Sequence, residues 1–512
     1  MSNREAFAPS VEEIATQLFC ELRNRFPVCC ASDEFYFFPQ LEPADSGTAS
    51  LRAWDDFSPE TVADTVKVLA RADARLSAAP IGNGDDPTPL RRLCRTLAEQ
   101  LAYIRCHRTQ PTWSLTIVVA GLVDALQAQD TELLQRRVEE LPAFLQQAQA
   151  NLDRVPALFA EIGVHMANQA MTWLQGLEGS TAGLPATLQA VADFSRALED
   201  IHPAPGFRLQ PEHLESIVSA HMGCGASVAA VLDEIEDELS RTRRVLEGLA
   251  ANLAPGRTWR ETLHSLPPVP APDGPLPLFE AQVKRLEEHC VGAGLVAPDF
   301  VRRCRVAVEP VPDMLAAVRA AAAYSARPGH PARGGTFYVY AGESGIVGTD
   351  GLHPEYRMTT AHETWPGHHL LDSSRWDLRS PVRRALEFPV FYEGWACFAE
   401  TLLVDTGLFT EPIDPFILAA RRYRRAARGR VDLLLQTGQT SIADAVRELR
   451  EAGLPPAQAS DSVPKYALRP GYQACYAIGQ RRMERRFRRE SGGNAAAFVE
   501  RIMRTGETIR DG

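Results

Sequence analysis

Apolar residues recur at intervals of three and four along most of the chain. Over residues 60–74, 90–104, 132–152, 157–177 and 226–249 they alternate with polar positions at that period, as in helices with one face turned to a core. Clusters of Gly and Pro interrupt the pattern at 79–87, 266–275 and 327–331, where a helix would not continue. One stretch reads differently: Thr336-Phe337-Tyr338-Val339-Tyr340 is aromatic and β-branched, and predicts an edge strand flanking a cleft. The expected fold is mainly α, a large helical bundle with a small edge β-sheet. Its expected organisation is an N-terminal helical region over 1–110 and a larger helical domain over 111–512, possible to divide near 266–278.

Candidate chemistry is concentrated in Thr359-Thr360-Ala361-His362-Glu363-Thr364-Trp365-Pro366-Gly367-His368-His369 and, shortly after it, Glu393-Gly394-Trp395-Ala396-Cys397-Phe398-Ala399-Glu400. A catalytic zinc takes three ligands from His, Asp, Glu or Cys and leaves a position for water. His362, His368 and Glu393 can supply that set. In the familiar His-Glu-x-x-His arrangement the second histidine stands four residues after the first, on the same helical face. Here Pro366 occupies that place and His368 comes two residues later, so an undistorted helix would turn it about 120° away. Proline and glycine are also the residues that break helices, so a bulge at Trp365-Pro366-Gly367 is expected to swing His368 back onto the ion. His369, roughly in line with His362 but about 10 Å along the axis, ranks behind His368 as a ligand and is placed in a supporting or substrate-facing role. Glu400, two turns after Glu393, can accept the other ring hydrogen of a liganding imidazole. Glu363 is left to act as general base on water and general acid to a leaving amine. A plainer reading also fits Thr360 to Glu363, as a capping box at a helix start.

These two motifs resemble the domain-of-unknown-function family 885 of bacterial proteins, whose signature is a His-Glu-x-x-Pro-Gly-His-His helix followed by a Glu-Gly-Trp-Ala helix. The resemblance extends to Leu141-Pro142-Ala143-Phe144-Leu145, to Tyr324, to Gly335-Thr336-Phe337-Tyr338-Val339 and to Pro470-Gly471-Tyr472-Gln473-Ala474-Cys475-Tyr476-Ala477-Ile478-Gly479. It implies a fold similar to gluzincin-type zinc metallopeptidases, with the zinc-binding cleft beside the sheet, His362, His368 and Glu393 as ligands and Glu363 as base. It further implies Tyr476, with Tyr472 second, as the phenol placed over the oxyanion. The chain departs from the family pattern at Leu371, where glutamine is usual, and at Gln436, near which a histidine is usual.

Composition narrows the function classes. The net charge of −11 over 512 residues argues against a nucleic-acid partner. The most apolar window, Leu115 to Val123, is too short to span a bilayer and is ended by Asp124. Met1-Ser2-Asn3-Arg4-Glu5 does not read as a leader, and ten cysteines without a Cys-x-x-Cys pair suit reduced thiols, so a cytoplasmic protein with no membrane partner is expected. Cys397, four residues after Glu393, reads as a packing residue. Six arginines, Arg421, Arg422, Arg424, Arg425, Arg428 and Arg430, read first as a solvated helix face; one or two of them, or Arg469, can instead bind a substrate carboxylate.

The expected function is zinc-dependent hydrolysis of an amide or peptide bond in a small substrate, with one divalent ion. Two alternatives stand beside it: a metal-dependent tailoring enzyme acting on a non-peptidic bond, and a non-catalytic helical protein with a structural metal. A di-iron carboxylate site is disfavoured, since only Glu199 with His202 and Glu261 with His264 have its spacing and prolines follow both.

Overall fold

Several helices start at a side-chain cap. Ser10 Oγ accepts the Glu13 N–H at 3.2 Å and Glu13 accepts the Ser10 N–H at 2.8 Å, a capping box that opens the helix Val11–Arg25. Thr258 and Glu261 repeat it at Trp259–His264, which gives Glu261 a structural role. The computed structural model describes residues 9–42, 52–78, 86–176, 183–311, 323–340, 347–348 and 351–506. Part of the expected break at 79–87 lies outside these; the breaks at 266–275 and 327–331 contain no helical residue.

The fold is mainly α. The periodic segments become the helices Pro59–Ala78, Thr88–Glu99, Thr131–Asn151, Ala157–Gln175 and Val228–Leu253. In the last, Leu246, Ile235 and Val231 are buried and most charged positions between them stay outside, Glu238 being the buried exception. The apolar window 115–123 lies within Pro111–Gln127, a helix buried on most sides by its neighbours. Among the described residues no helix is long and apolar enough to cross a membrane. All ten cysteines are free thiols, and all but Cys20 are buried.

Three strands form a mixed sheet: β1 (Val306–Pro310), β2 (Ala323–Ala326) and β3 (Gly335–Val339), in the order β1-β3-β2. β1 runs parallel to β3 and β2 antiparallel to it, with Tyr324 opposite Phe337. The segment expected at the edge is therefore the central strand, buried along its whole length, and the edges are β1 and the shorter β2. Its unbroken aromatic and β-branched run is what a strand covered on both faces requires. A two-stranded ladder, β4 (Val347–Gly348) with β5 (Gly351–Leu352), follows.

Two large apolar cores meet at the motifs. One joins helices of the first half to Val390, Ala426, Ala474 and Ile478. The other joins Phe337, Met358, Ala361, Trp395 and Phe398 to the C-terminal helix Ala495–Thr505. Glu393 stands between Val390 and Trp395, at this seam.

Candidate metal centre

The first motif does not form one helix with a bulge. It forms two helices, Tyr356–Glu363 and His368–Trp376, separated by a complete break at 364–367. Pro366 has no N–H to donate and Gly367 folds back, its N–H reaching Ala361 O at 3.2 Å. A Cβ on Gly367 would lie 1.9 Å from His362 O, so only glycine closes this turn. The break exposes carbonyls inside the protein, and Trp395 satisfies them: its Nε1–H donates to Pro366 O at 2.8 Å and to Gly367 O at 3.3 Å. The tryptophan of the second motif thus holds the bend of the first.

That bend brings His362 and His368 together, with ring centroids 4.7 Å apart. The helix Pro389–Asp405 adds Glu393, whose Oε2 lies 3.5 Å from His362 Nε2 and 3.6 Å from His368 Nε2. The three donor atoms fall within 4.8 Å of one another, and all three residues are buried. Among the described residues Glu393 Oε2 has no hydrogen-bond partner. A buried carboxylate oxygen without a donor, facing two imidazole nitrogens, is the donor set that fits a divalent ion with a position to spare.

The helix carrying Glu393 is held by contact without side chains. Gly394 packs on Gly479 of Ala474–Glu490, and a Cβ on Gly394 would meet the Gly479 backbone at 2.4 Å. The partner of Gly394 in this close approach is Gly479.

Behind the ligand set, charged groups hold the His362 ring. Glu400 Oε1 lies 3.1 Å from His362 Nδ1 and Arg425 Nη2 lies 3.2 Å from the same nitrogen; with an ion bound, an Nδ1–H turned to Glu400 would leave the Nε2 lone pair for the metal. Glu400 is itself clamped by two guanidinium groups. Arg421 donates to it from Nε at 2.8 Å and Nη2 at 2.9 Å, and Arg425 from Nη1 at 3.0 Å and from Nη2. Burial alone would raise the Glu400 pKa, but Arg421, Arg425 and His362 hold it well below the usual carboxylate range. Burial likewise works to lower the His362 pKa, and contacts with Cys397, Glu393 and Glu400 lift it well above the histidine range. Cys397 is buried against this ring.

The solvated arginine face expected from the sequence is corrected here. Arg421 and Arg425 are buried in the helix Ile413–Gln436, and Arg421 also reaches Glu355 at 2.6 Å and Thr359 at 2.9 Å. Arg422 pairs with Glu238 and Glu484, Arg424 with Glu355, and Arg430 with Glu236 and Glu448. The pairing partners lie far away in sequence, so no local pattern points to them.

Glu363 belongs to the last turn of its helix, and Thr360 is in mid-helix with its hydroxyl on Tyr356 O at 2.8 Å, so the capping-box reading is excluded. Glu363 Oε2 accepts the Tyr324 N–H of β2 at 2.9 Å. Tyr472 O–H donates to Glu393 Oε1 at 2.7 Å. The Tyr476 ring stacks on His362 at 6.4 Å between centroids. Tyr392, missed in the sequence although it precedes Glu393, stacks on the His368 ring at 3.9 Å and donates to Asp372 Oδ2 at 3.0 Å. Glu363, Tyr392, Tyr472 and Tyr476 are only partly buried, unlike the ligand set, and so mark the open side of the site.

His369 points elsewhere. Its Nε2–H donates to Cys304 O at 2.9 Å and its Nδ1 accepts from the Tyr324 hydroxyl at 3.1 Å, leaving no lone pair for a metal. It is wholly buried, and burial lowers its pKa to about 4, so it is neutral and turned away from any substrate. The expected substrate-facing role is corrected to support of Tyr324 in β2. Arg469 Nη2 donates to Glu34 at 2.8 Å, tying the segment before Tyr472 to the N-terminal region. A separate cavity of about 440 Å³, lined by Trp54, Asp55, His107 and Phe144, shares no residue with this centre.

The family model described as "Bacterial protein of unknown function (DUF885)" matches residues 44–507. The chain belongs to the DUF885 family. Solved structures share its fold. A candidate lipoprotein of unknown function from Shewanella oneidensis matches the DUF885 chain with a TM-score of 0.75 at 15% identity, covering 97% of each chain. A candidate lipoprotein from Colwellia psychrerythraea matches with a TM-score of 0.74 at 14% identity, over 96% of this chain and 95% of the other. A Pyrococcus furiosus carboxypeptidase aligns with a TM-score of 0.41 at 10% identity, over 96% and 91% of the two chains, a likeness too small to carry an argument. No curated protein matches the chain. The expected cytoplasmic location is overturned by the first two: the fold occurs in proteins described as candidate lipoproteins.

Proposed function

We propose that the protein is a metal-dependent hydrolase of an amide or peptide bond in a small substrate, with zinc held by His362, His368 and Glu393. The observation that carries this reading is the buried Glu393 Oε2, free of any hydrogen bond among the described residues and facing the Nε2 atoms of both histidines. Bound in that cradle, the ion supplies Lewis acidity to an amide carbonyl and acidifies a water.

The protein's own residues do the rest. Glu363 is anchored through Oε2 on the Tyr324 N–H, which leaves Oε1 to take a proton from water and pass it to the departing amine. Tyr476, on the open side and stacked on His362, is the phenol available to donate to a developing oxyanion. Tyr472 spends its hydrogen on Glu393 and so steadies the ligand instead. The edge strand β2 runs beside Glu363, where its outer main-chain groups can align an extended substrate.

The test is metal analysis of protein purified without added ions, followed by turnover of dipeptides and N-acyl amino acids with and without chelator. One zinc per chain and chelator-sensitive hydrolysis are expected. Glu363→Gln should keep the zinc and lose at least about a hundredfold in rate; a fully active variant removes Glu363 from the mechanism.

A further inference from the structure

The arginines of Ile413–Gln436 differ in one respect. Arg421, Arg422, Arg424, Arg425 and Arg430 each have a carboxylate partner. Among the described residues, no carboxylate is paired with Arg428. Its partners are uncharged: Gln473 Oε1 accepts from Nε at 2.9 Å and from Nη2, and the Tyr466 hydroxyl takes a further hydrogen bond. These engage three of the five N–H groups of a guanidinium and leave two.

Arg428 is also placed at the reactive centre. Its Cζ lies 4.8 Å over the Tyr476 ring, on which His362 stacks in turn. It feels the charge of Glu393, and like Tyr476 it is only partly buried. A cation held in place by neutral groups, with spare donors and one aromatic ring between it and the candidate ligands, lacks the anion that every neighbouring arginine has found within the fold.

We propose that Arg428 binds a free carboxylate of the substrate. The substrate class is then a peptide cut next to its C-terminus, or an N-acyl amino acid, in which the α-carboxylate lies just beyond the scissile nitrogen. This rests on the hydrolase reading for its reaction but not for its binding. Gln473 and Tyr466 hold the guanidinium, Tyr476 lies between it and the metal cradle, and an amide or ester in place of the carboxylate leaves the cation without a partner.

Binding and turnover are measured separately. Metal-free full-length protein is titrated with N-benzoylglycine and with its primary amide, and saturation-transfer NMR reads both. The acid should bind at least about tenfold more tightly than the amide, and Arg428→Gln should abolish the difference, with Arg428→Lys recovering part of it. Equal binding of acid and amide by the wild type, or a preference that survives Arg428→Gln, overturns the assignment whatever the activity. In zinc-loaded protein, Arg428→Gln should lower kcat/KM for the acid about 10- to 100-fold more than for the amide, mainly through KM, and leave zinc content unchanged. Equal loss on both substrates also overturns it. Absence of all wild-type turnover tells against the hydrolase reading alone, and the titration then decides the carboxylate site.

Discussion

Replacing Glu400 by Gln tests whether the charged network behind His362 sets the metal site or merely packs beneath it. Glu400 is wholly buried, receives two hydrogen bonds from Arg421 and two from Arg425, and lies 3.1 Å from His362 Nδ1. The amide keeps the shape and loses the charge. Arg421 retains Glu355 at 2.6 Å, but Glu400 is the sole carboxylate paired with Arg425 among the described residues, so the penalty falls on Arg425. A buried ion pair broken on one side costs about 3–5 kcal/mol of folding stability. His362 loses the acceptor that fixes its tautomer, which weakens zinc binding about 10- to 100-fold, or about 1.4–2.8 kcal/mol. Urea denaturation of the metal-free protein reads the first effect and competition against a chelator of known affinity the second. The double variant Glu400→Gln with Arg425→Met removes the stranded charge; it should recover much of the stability and none of the zinc affinity. If Glu400→Gln holds zinc within a factor of two of the wild type, the orienting role is refuted.

Three further outcomes follow from the geometry. Gly367→Ala places a methyl group against His362 O and should cost about 3 kcal/mol or more together with zinc binding, read by denaturation and metal analysis; a stable, zinc-replete variant would contradict the described turn. His368→Ala should abolish zinc uptake while His369→Ala keeps one zinc per chain and loses stability, and the reverse result would exchange their roles. His107 is held neutral by burial, which lowers its pKa to about 3, whereas in the unfolded chain it protonates near 6.5. Its contribution is complete above about pH 6.5 and is lost as pH falls toward 3, so the stability difference between wild type and His107→Gln should shrink by about 2 kcal/mol between pH 7.5 and pH 5. A difference that stays constant over this range would show that His107 titrates normally.

What the sequence discloses here depends on how local the cause is. The helices are legible because their apolar period is written within each segment, and His362, His368 and Glu393 because proline and glycine announce the bend between them. β2 is not legible: Ala323-Tyr324-Ser325-Ala326 is short and its pairing comes from β3, which the same patterning placed at the edge. The arginines were read as solvent-facing because Glu355 and Glu400, which bury them, are more than twenty residues away at the nearest. His369 stands beside a ligand in sequence but faces the opposite way, toward Cys304 and Tyr324, which only the fold brings near.

The bare crossing of Gly394 on Gly479 has a mechanical consequence. Two helices whose main chains touch have no intervening side chains on which to roll, so the carboxylate of residue 393 and the phenols of residues 472 and 476 move as one body. An incoming molecule therefore meets a fixed wall on this side, while Glu363 is held separately by the main chain of β2.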